Sequence, residues 1–181
     1  MQKNKKKVGI FLMEKASMNS FIGRSVRIDR GGHESRIGKL IDVKDDHFVV
    51  HIENEGMIYY KNDHVKSLTL DTRETNDYYE DSESTSKQPA LLYIDADNFT
   101  SLLQSMQYYS VQINRGGPEK IEGVIVDATD SEVTMIVGNE LIKLLPFHIR
   151  NISYSSKNNN EQNNNNNNES KRNKNNRNSR R

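Results

Sequence analysis

Apolar positions along the chain fall into short alternating runs, set off by two helical stretches. Val26 and Ile28 alternate with Arg27 and Asp29, the period of a half-buried strand. Similar runs rich in Val, Ile, Leu, Phe and Tyr predict strands over 25–30, 37–44, 47–53, 56–61 and 65–70. A second set is predicted over 110–115, 121–128, 132–138, 140–145 and 149–154. A helix is expected over 10–22, where Phe11, Leu12, Met18, Phe21 and Ile22 are apolar. A clearer one follows Asp95 and Asp97, either of which can cap it. Its Phe99, Leu102, Leu103 and Met106 recur at i, i+3, i+4 and i+7. Turn residues separate the strands: Gly31-Gly32 and Gly116-Gly117, Asp45-Asp46 and Asp130-Ser131, Glu55-Gly56 and Gly138-Asn139. The links 61–64 and 146–148 have room only for a tight turn.

The two sets are copies of one another. Ser25-Val-Arg-Ile-Asp-Arg-Gly-Gly-His-Glu34 returns 85 residues later as Ser110-Val-Gln-Ile-Asn-Arg-Gly-Gly-Pro-Glu119, and 25–48 shares ten identities in 24 positions with 110–133. After a one-residue gap, His64-Val-Lys-Ser-Leu68 matches His148-Ile-Arg-Asn-Ile152. Each copy is about 60 residues, the size of a small domain rather than a solenoid repeat. Helix and then five closely spaced antiparallel strands is the order of a small Sm-like or SH3-like β-barrel, so the expected fold is mainly β with short helices: two such barrels in tandem. The expected divisions are a basic arm 1–9, a first barrel 10–70, an acidic linker 71–90, a second barrel 91–155 and a disordered tail 156–181.

Charge is strongly segregated under a net +1. Residues 71–86 carry six acids against Arg73, while 158–181 carry six Lys/Arg against Glu161 and Glu169. Thirteen of residues 158–181 are Asn, a composition that cannot offset its ordering entropy by burying apolar area. The absence of cysteine excludes disulfides, thiol catalysis and Cys-based zinc sites. The N-terminal run ending at Met13 imitates a signal peptide, but it is short and lacks a small-residue cleavage site. The chain is therefore expected to be made in a cytosol and not exported by the general route. No segment supplies the roughly 20 apolar residues that span a bilayer.

No catalytic, cofactor or metal constellation emerges. There is no nucleophile elbow, zinc helix or phosphate-binding loop, and His33, His47 and His51 have no counterparts in the second copy. His64 and His148 precede the fifth strands, where a lone histidine orients a turn. The repeated turns Arg30, Gly31, Gly32, Glu34 and Arg115, Gly116, Gly117, Glu119 are read as strand ends with surface ion pairs, Arg30 with Glu34 and Arg115 with Glu119. They are also candidates for a docking surface used twice. Three tyrosine doublets, 59–60, 78–79 and 108–109, are expected to place one ring inside and one at the rim in each structured case. The chain is expected not to be an enzyme. A nucleic-acid-binding Sm-like protein is the alternative function class, weakened by 20 Lys/Arg against 23 Asp/Glu over residues 1–157.

Arg115-Gly-Gly-Pro-Glu119, Ile121-Glu-Gly-Val-Ile-Val-Asp127 and Leu145-Pro-Phe-His-Ile-Arg-Asn-Ile152, preceded by Asp95-Ala-Asp97, resemble the spore coat protein B family of Bacillus. The likeness covers 10–155, and internal duplication is itself a family trait. It implies a structural component of the endospore coat, made in the mother-cell cytoplasm and deposited in the outer layer. Implied partners are other coat proteins, with the chain itself and a coat kinase as further candidates; the residues themselves lead to the expectation of no membrane and no cofactor, and nucleic acid is not the favoured partner. His33 departs from the family's proline. The family tail is serine-rich and phosphorylated, whereas the serines of this Asn-rich tail are Ser170 and Ser179, so those two are the candidate phosphorylation positions.

Overall fold

The computed structural model describes residues 15–71, 73 and 92–155. The first copy runs α1 (Lys15–Asn19), β1 (Ser25–Ile28), β2 (Arg36–Val43), β3 (His47–Ile52), β4 (Gly56–Lys61) and β5 (Leu68–Leu70). The second runs α2 (Phe99–Ser105), β6 (Ser110–Ile113), β7 (Ile121–Ala128), β8 (Val133–Val137), β9 (Glu140–Leu144) and β10 (Asn151–Tyr154). A single 3₁₀ turn, Asn62–His64 or Pro146–His148, precedes each fifth strand. The acidic linker beyond these residues, the basic arm and the tail with Ser170 and Ser179 lie outside the described residues.

The ten strands among the described residues belong to one sheet, in the order β5-β1-β2-β3-β4-β10-β6-β7-β8-β9. Each copy contributes five strands in the same internal order, and a register shift falls at the same place in each, Leu40/Asp42 and Ile125/Asp127. Where two barrels closed on themselves are expected, the sheet is open and continuous. The physical reason is the partner chosen by β10. In a self-closing unit its outer edge would take up β9; here it pairs antiparallel with β4 of the first copy, Ile152 opposite Tyr59.

That choice explains the apolar density of β3 and β4. Phe48, Val50, Ile52, Ile58 and Tyr60 pack with Met18, Val26, Ile28, Leu40 and Val43 in the first core. Val49 and Tyr59 point the other way, into the second core with Phe99, Leu102, Leu103, Met106, Ile113 and Ile152. The two strands are thus covered on both faces and read as near-continuous apolar runs. On that face their counterparts in the second copy are exposed or half-buried, and Thr134 and Lys143 stand where Val49 and Tyr59 stand in the first.

The helices differ from expectation in detail. Of the helix expected over 10–22, the described part is one short turn, Lys15–Asn19, which buries Met18. In α2, Phe99, Leu102 and Leu103 are buried as the periodicity requires, and so is Met106 at its C-cap. Its cap is neither Asp95 nor Asp97. Asn98 Oδ1 accepts the Ser101 N–H at 2.9 Å, because a cap reaches the free N–H groups only from the residue just before the helix. Strands β5 and β10 begin later than predicted, since 65–67 and 149–150 complete the preceding turns.

Candidate interaction surface at the seam between the copies

The seam is built from backbone pairing, a shared core and a band of charge. Lys61 N–H donates to Arg150 O at 2.9 Å, in line with the β4–β10 register. Tyr59 reaches under β10 into the second core, and its hydroxyl accepts the Ile94 N–H at 2.7 Å. Burial pushes the Tyr59 hydroxyl up to about 12, against the opposing pull of the Ile94 N–H. Both rings of Tyr59-Tyr60 are buried and both rings of Tyr108-Tyr109 are exposed, so the expected one-in, one-out division fails in each case. The first doublet lies on a strand covered on both faces. In the second, Tyr108 adopts φ 66 at the end of α2 and Tyr109 packs edge-on to Tyr154 at the surface. Tyr78-Tyr79 lie outside the described residues.

A second layer of contacts joins the segment before α2 to the first copy. Phe99 N–H donates to Asp46 Oδ2 at 2.8 Å, and Asp46 Oδ1 holds Nδ1 of the fully buried His47 at 2.7 Å. Burial pushes the Asp46 carboxyl up, but the bonds from His47 and from the Phe99 N–H outweigh it and hold it below its ordinary value. Asp42 is likewise pushed up by burial and pulled further down by Lys44, the Tyr93 hydroxyl and the Val43 N–H. Lys44 also contacts Asp95 at 2.6 Å. Asp42 therefore ties β2 to the second copy. Its counterpart Asp127 accepts from Gln107 of its own copy, at 3.5 Å.

The two Arg-Gly-Gly turns meet across the seam. The ion pairs expected within each turn give way to pairs between the copies. Arg115 contacts Glu55 at 2.8 Å and Arg150 contacts Glu34 at 2.6 Å; within its own copy Arg150 also contacts Glu119 at 3.4 Å. A Cβ on Gly116 would lie 2.7 Å from His33 O, and one on Gly117 2.7 Å from Glu34 Oε1, so glycine there lets the first turn sit against the second. Nothing lies within 4 Å of the equivalent points on Gly31 and Gly32. Arg30 keeps its backbone N–H on Ser67 Oγ at 3.1 Å. His64 Nε2 is 2.5 Å from Phe147 O and its ring packs edge-on to Phe147 at 5.3 Å, the turn-orienting part expected of it, directed at the other copy.

Beside the seam is a groove of about 550 Å³ whose lining includes His51, Glu55, Met57, Tyr59, Tyr93 and Tyr154. Two hydroxyls in its walls donate to carboxylates, Ser155 to Glu122 and Tyr93 to Asp42. Among the described residues no group of three or more His, Asp or Glu is placed to hold a metal ion. No described helix is long and apolar enough to cross a membrane. What the arrangement does is hold two copies together by strand pairing, burial and charge. Sequence reasoning missed this seam. The signal for it lies in the differences between the copies, Val49 against Thr134 and Tyr59 against Lys143, rather than in their identities.

The chain is 32% identical over 136 residues to spore coat protein B of Bacillus subtilis (strain 168), an alignment covering 75% of this chain and 34% of that protein. The chain thus spans about a third of the length of the curated relative it matches. No family model and no solved structure matches.

Proposed function

Since the chain belongs to a spore coat protein B-like family, we propose that it is a structural component of the bacterial endospore coat that works by protein–protein assembly and not by catalysis. The family relationship is the observation that carries this reading. The seam supports it, because the duplicated unit here buries its edge and its turn against another copy of itself. In this reading each half is a small Sm-like unit, supported by the strand order β5-β1-β2-β3-β4 repeated as β10-β6-β7-β8-β9. Each unit leaves one edge for a neighbour. The turns at Arg30, Gly31, Gly32 and Glu34, and at Arg115, Gly116, Gly117 and Glu119, are its docking elements.

Synthesis in the mother cell, deposition in the outer layer, contact with other coat proteins and phosphorylation of Ser170 and Ser179 by a coat kinase belong to the same proposal. A phosphate on either serine would pair with neighbouring Lys171, Arg172, Arg177 or Arg180. The test follows a fluorescent fusion through sporulation, with and without residues 156–181. A signal that gathers on the forespore surface and remains on the purified spore supports the reading. A signal that stays diffuse in the mother cell, for the full chain, overturns it.

A further inference from the structure

Two edges of the sheet have no strand partner among the described residues: β5 of the first copy and β9 of the second. They are the two strand types that meet at the seam, where a fourth strand (β4) pairs with a fifth strand (β10). We infer that this chain assembles head to tail, with β9 of one molecule pairing antiparallel with β5 of the next in the register of the internal seam. This rests on the assembly reading above and names its partner: a second copy of the chain.

The hydrogen-bonding pattern supports the pairing. In an antiparallel sheet alternate residues turn their N–H and C=O groups to opposite neighbours. Asp29 N–H donates to Ser67 O, so Ser67 and Thr69 face β1, and the backbone of Leu68 and Leu70 and the carbonyl of Lys66 face outward; the Lys66 N–H is held by Asp29 Oδ1, as the Arg150 N–H at the seam is held by Asn114 Oδ1. In β4, Asn62 N–H donates to Asp46 O and Lys61 N–H to Arg150 O, so 57, 59 and 61 face the seam. The β8–β9 register reproduces the β3–β4 register, Phe48 opposite Tyr60 becoming Val133 opposite Leu144. The outward backbone of β9 is therefore that of Leu141 and Lys143, continued by Leu145. Carrying Lys61–Arg150, Tyr59–Ile152 and Met57–Tyr154 over to the free edges sets Leu145 opposite Lys66, Lys143 opposite Leu68 and Leu141 opposite Leu70.

Side chains at both edges agree. Leu141 and Leu145 are 64% and 57% exposed, whereas Tyr59 and Tyr60 of the seam strand are buried. An apolar, unpaired edge templates addition of a strand. The ammonium of Lys143 is matched by Glu132, so the edge carries no uncompensated charge there. The turns repeat the match. At the seam, His33 and Glu34 sit over Gly116 and Gly117, with Arg150 on Glu34. At the inferred joint Pro118 and Glu119 would sit over Gly31 and Gly32 of the next molecule, where the space is open, with Lys66 on Glu119. Thr134 and Lys143 replace Val49 and Tyr59, so this joint buries less than the seam and is the weaker of the two. Unlike edges meeting give a heterologous contact, which continues as a ring or a filament.

The cysteine-free chain makes the register directly testable. Thr69 and Ile142 would form a pair without direct hydrogen bonds, at the short Cα spacing a disulfide accepts. Full-length Thr69→Cys and Ile142→Cys are prepared separately, mixed and mildly oxidised. The expected result is a disulfide-linked dimer in the mixture and not with either variant alone. The unmodified chain should gain mass with concentration in sedimentation velocity. Lys143→Pro, which removes an outward N–H from an edge strand, should sediment as a monomer with an unchanged circular dichroism spectrum. The inference is overturned if the unmodified chain is monomeric throughout, if either variant cross-links to itself, or if assembly persists in Lys143→Pro without a cross-link in the mixture. Such a failure leaves coat deposition of the unmodified fusion intact, whereas failure of the coat reading is loss of that deposition.

Discussion

Arg115, at the turn of the second copy, contacts Glu55, at the third hairpin of the first, at 2.8 Å, and the same carboxylate lies 2.9 Å from Arg36. The Arg115 side chain is only 12% exposed, so this pair is shielded more than an ordinary surface ion pair. Two cations share one acid, and that acid belongs to the other copy from Arg115. Removing Glu55 would leave two largely covered guanidinium groups facing each other.

Glu55→Ala should therefore cost more than a surface truncation, roughly 1–3 kcal/mol. A double-mutant cycle with Arg115→Ala should give a coupling of about 1 kcal/mol between residues 60 apart in sequence. Urea unfolding of the four proteins measures it. A coupling indistinguishable from zero would mean that the pair contributes nothing to joining the copies.

Gly38 and Gly123 occupy the same place in β2 and β7. A Cβ on Gly38 would fall 2.5 Å from His51 O, and one on Gly123 would meet Ile136 O. Both clashes are with backbone, which cannot rotate away. Gly38→Ala and Gly123→Ala should each destabilise by roughly 1–3 kcal/mol, as overpacking does. Denaturant midpoints of the two variants should fall together; tolerance of either would mean that its strand pair opens there.

Much of this fold is legible in sequence, for identifiable reasons. Val26 and Ile28 alternate because β1 has one dry face, and Phe99, Leu102, Leu103 and Met106 share a helix face because the second core needs all four. Strand content and order within each copy follow from such local patterns. Closure does not, because the choice between β9 and β4 as the partner of β10 is made by distant side chains. Tyr59 reads simply as a strand tyrosine until Ile94 is seen to donate to its hydroxyl. The repeated turns are visible as motifs, but Glu34 and Arg150 lie far apart in sequence and their pairing has no local signature.

Acid should loosen the seam before it unfolds the β-hairpins. Asp42 and Asp46 are held below their ordinary values against the push of burial, by Lys44 and His47 of their own copy together with the Tyr93 hydroxyl and the Phe99 N–H of the other. A carboxyl whose value is lower folded than unfolded stabilises in full above its unfolded value, about 3.9, and loses that contribution as pH falls through the folded one. Stability should thus decline below about pH 4, and Asp46→Asn should flatten part of the decline. Asp46→Ala at neutral pH should cost roughly 1–3 kcal/mol, since it strips the partner from the buried His47. Urea midpoints taken between pH 3 and pH 7 for the three proteins check both statements. An Asp46→Asn curve parallel to the parent's would remove Asp46 from the explanation.

Cutting the chain between the copies should not separate them. The first copy gives Val49 and Tyr59 to the second core; the second gives β10 to the edge of β4. Between them run the pairs Glu55–Arg115 and Glu34–Arg150 and the bonds Asp46–Phe99 and Asp42–Tyr93. None of these depends on the covalent link through residues 74–91. A specific protease site placed within 74–87 should therefore yield, after cleavage, two fragments that co-elute in size-exclusion chromatography at the position of the uncut chain. Adding Tyr59→Ala should separate them, because that one change opens a cavity in the second core and leaves the Ile94 N–H without its acceptor. If the cleaved but otherwise unmodified fragments elute apart, the linker and not the seam holds the copies together. The free edges at β5 and β9 would then have no internal precedent to copy.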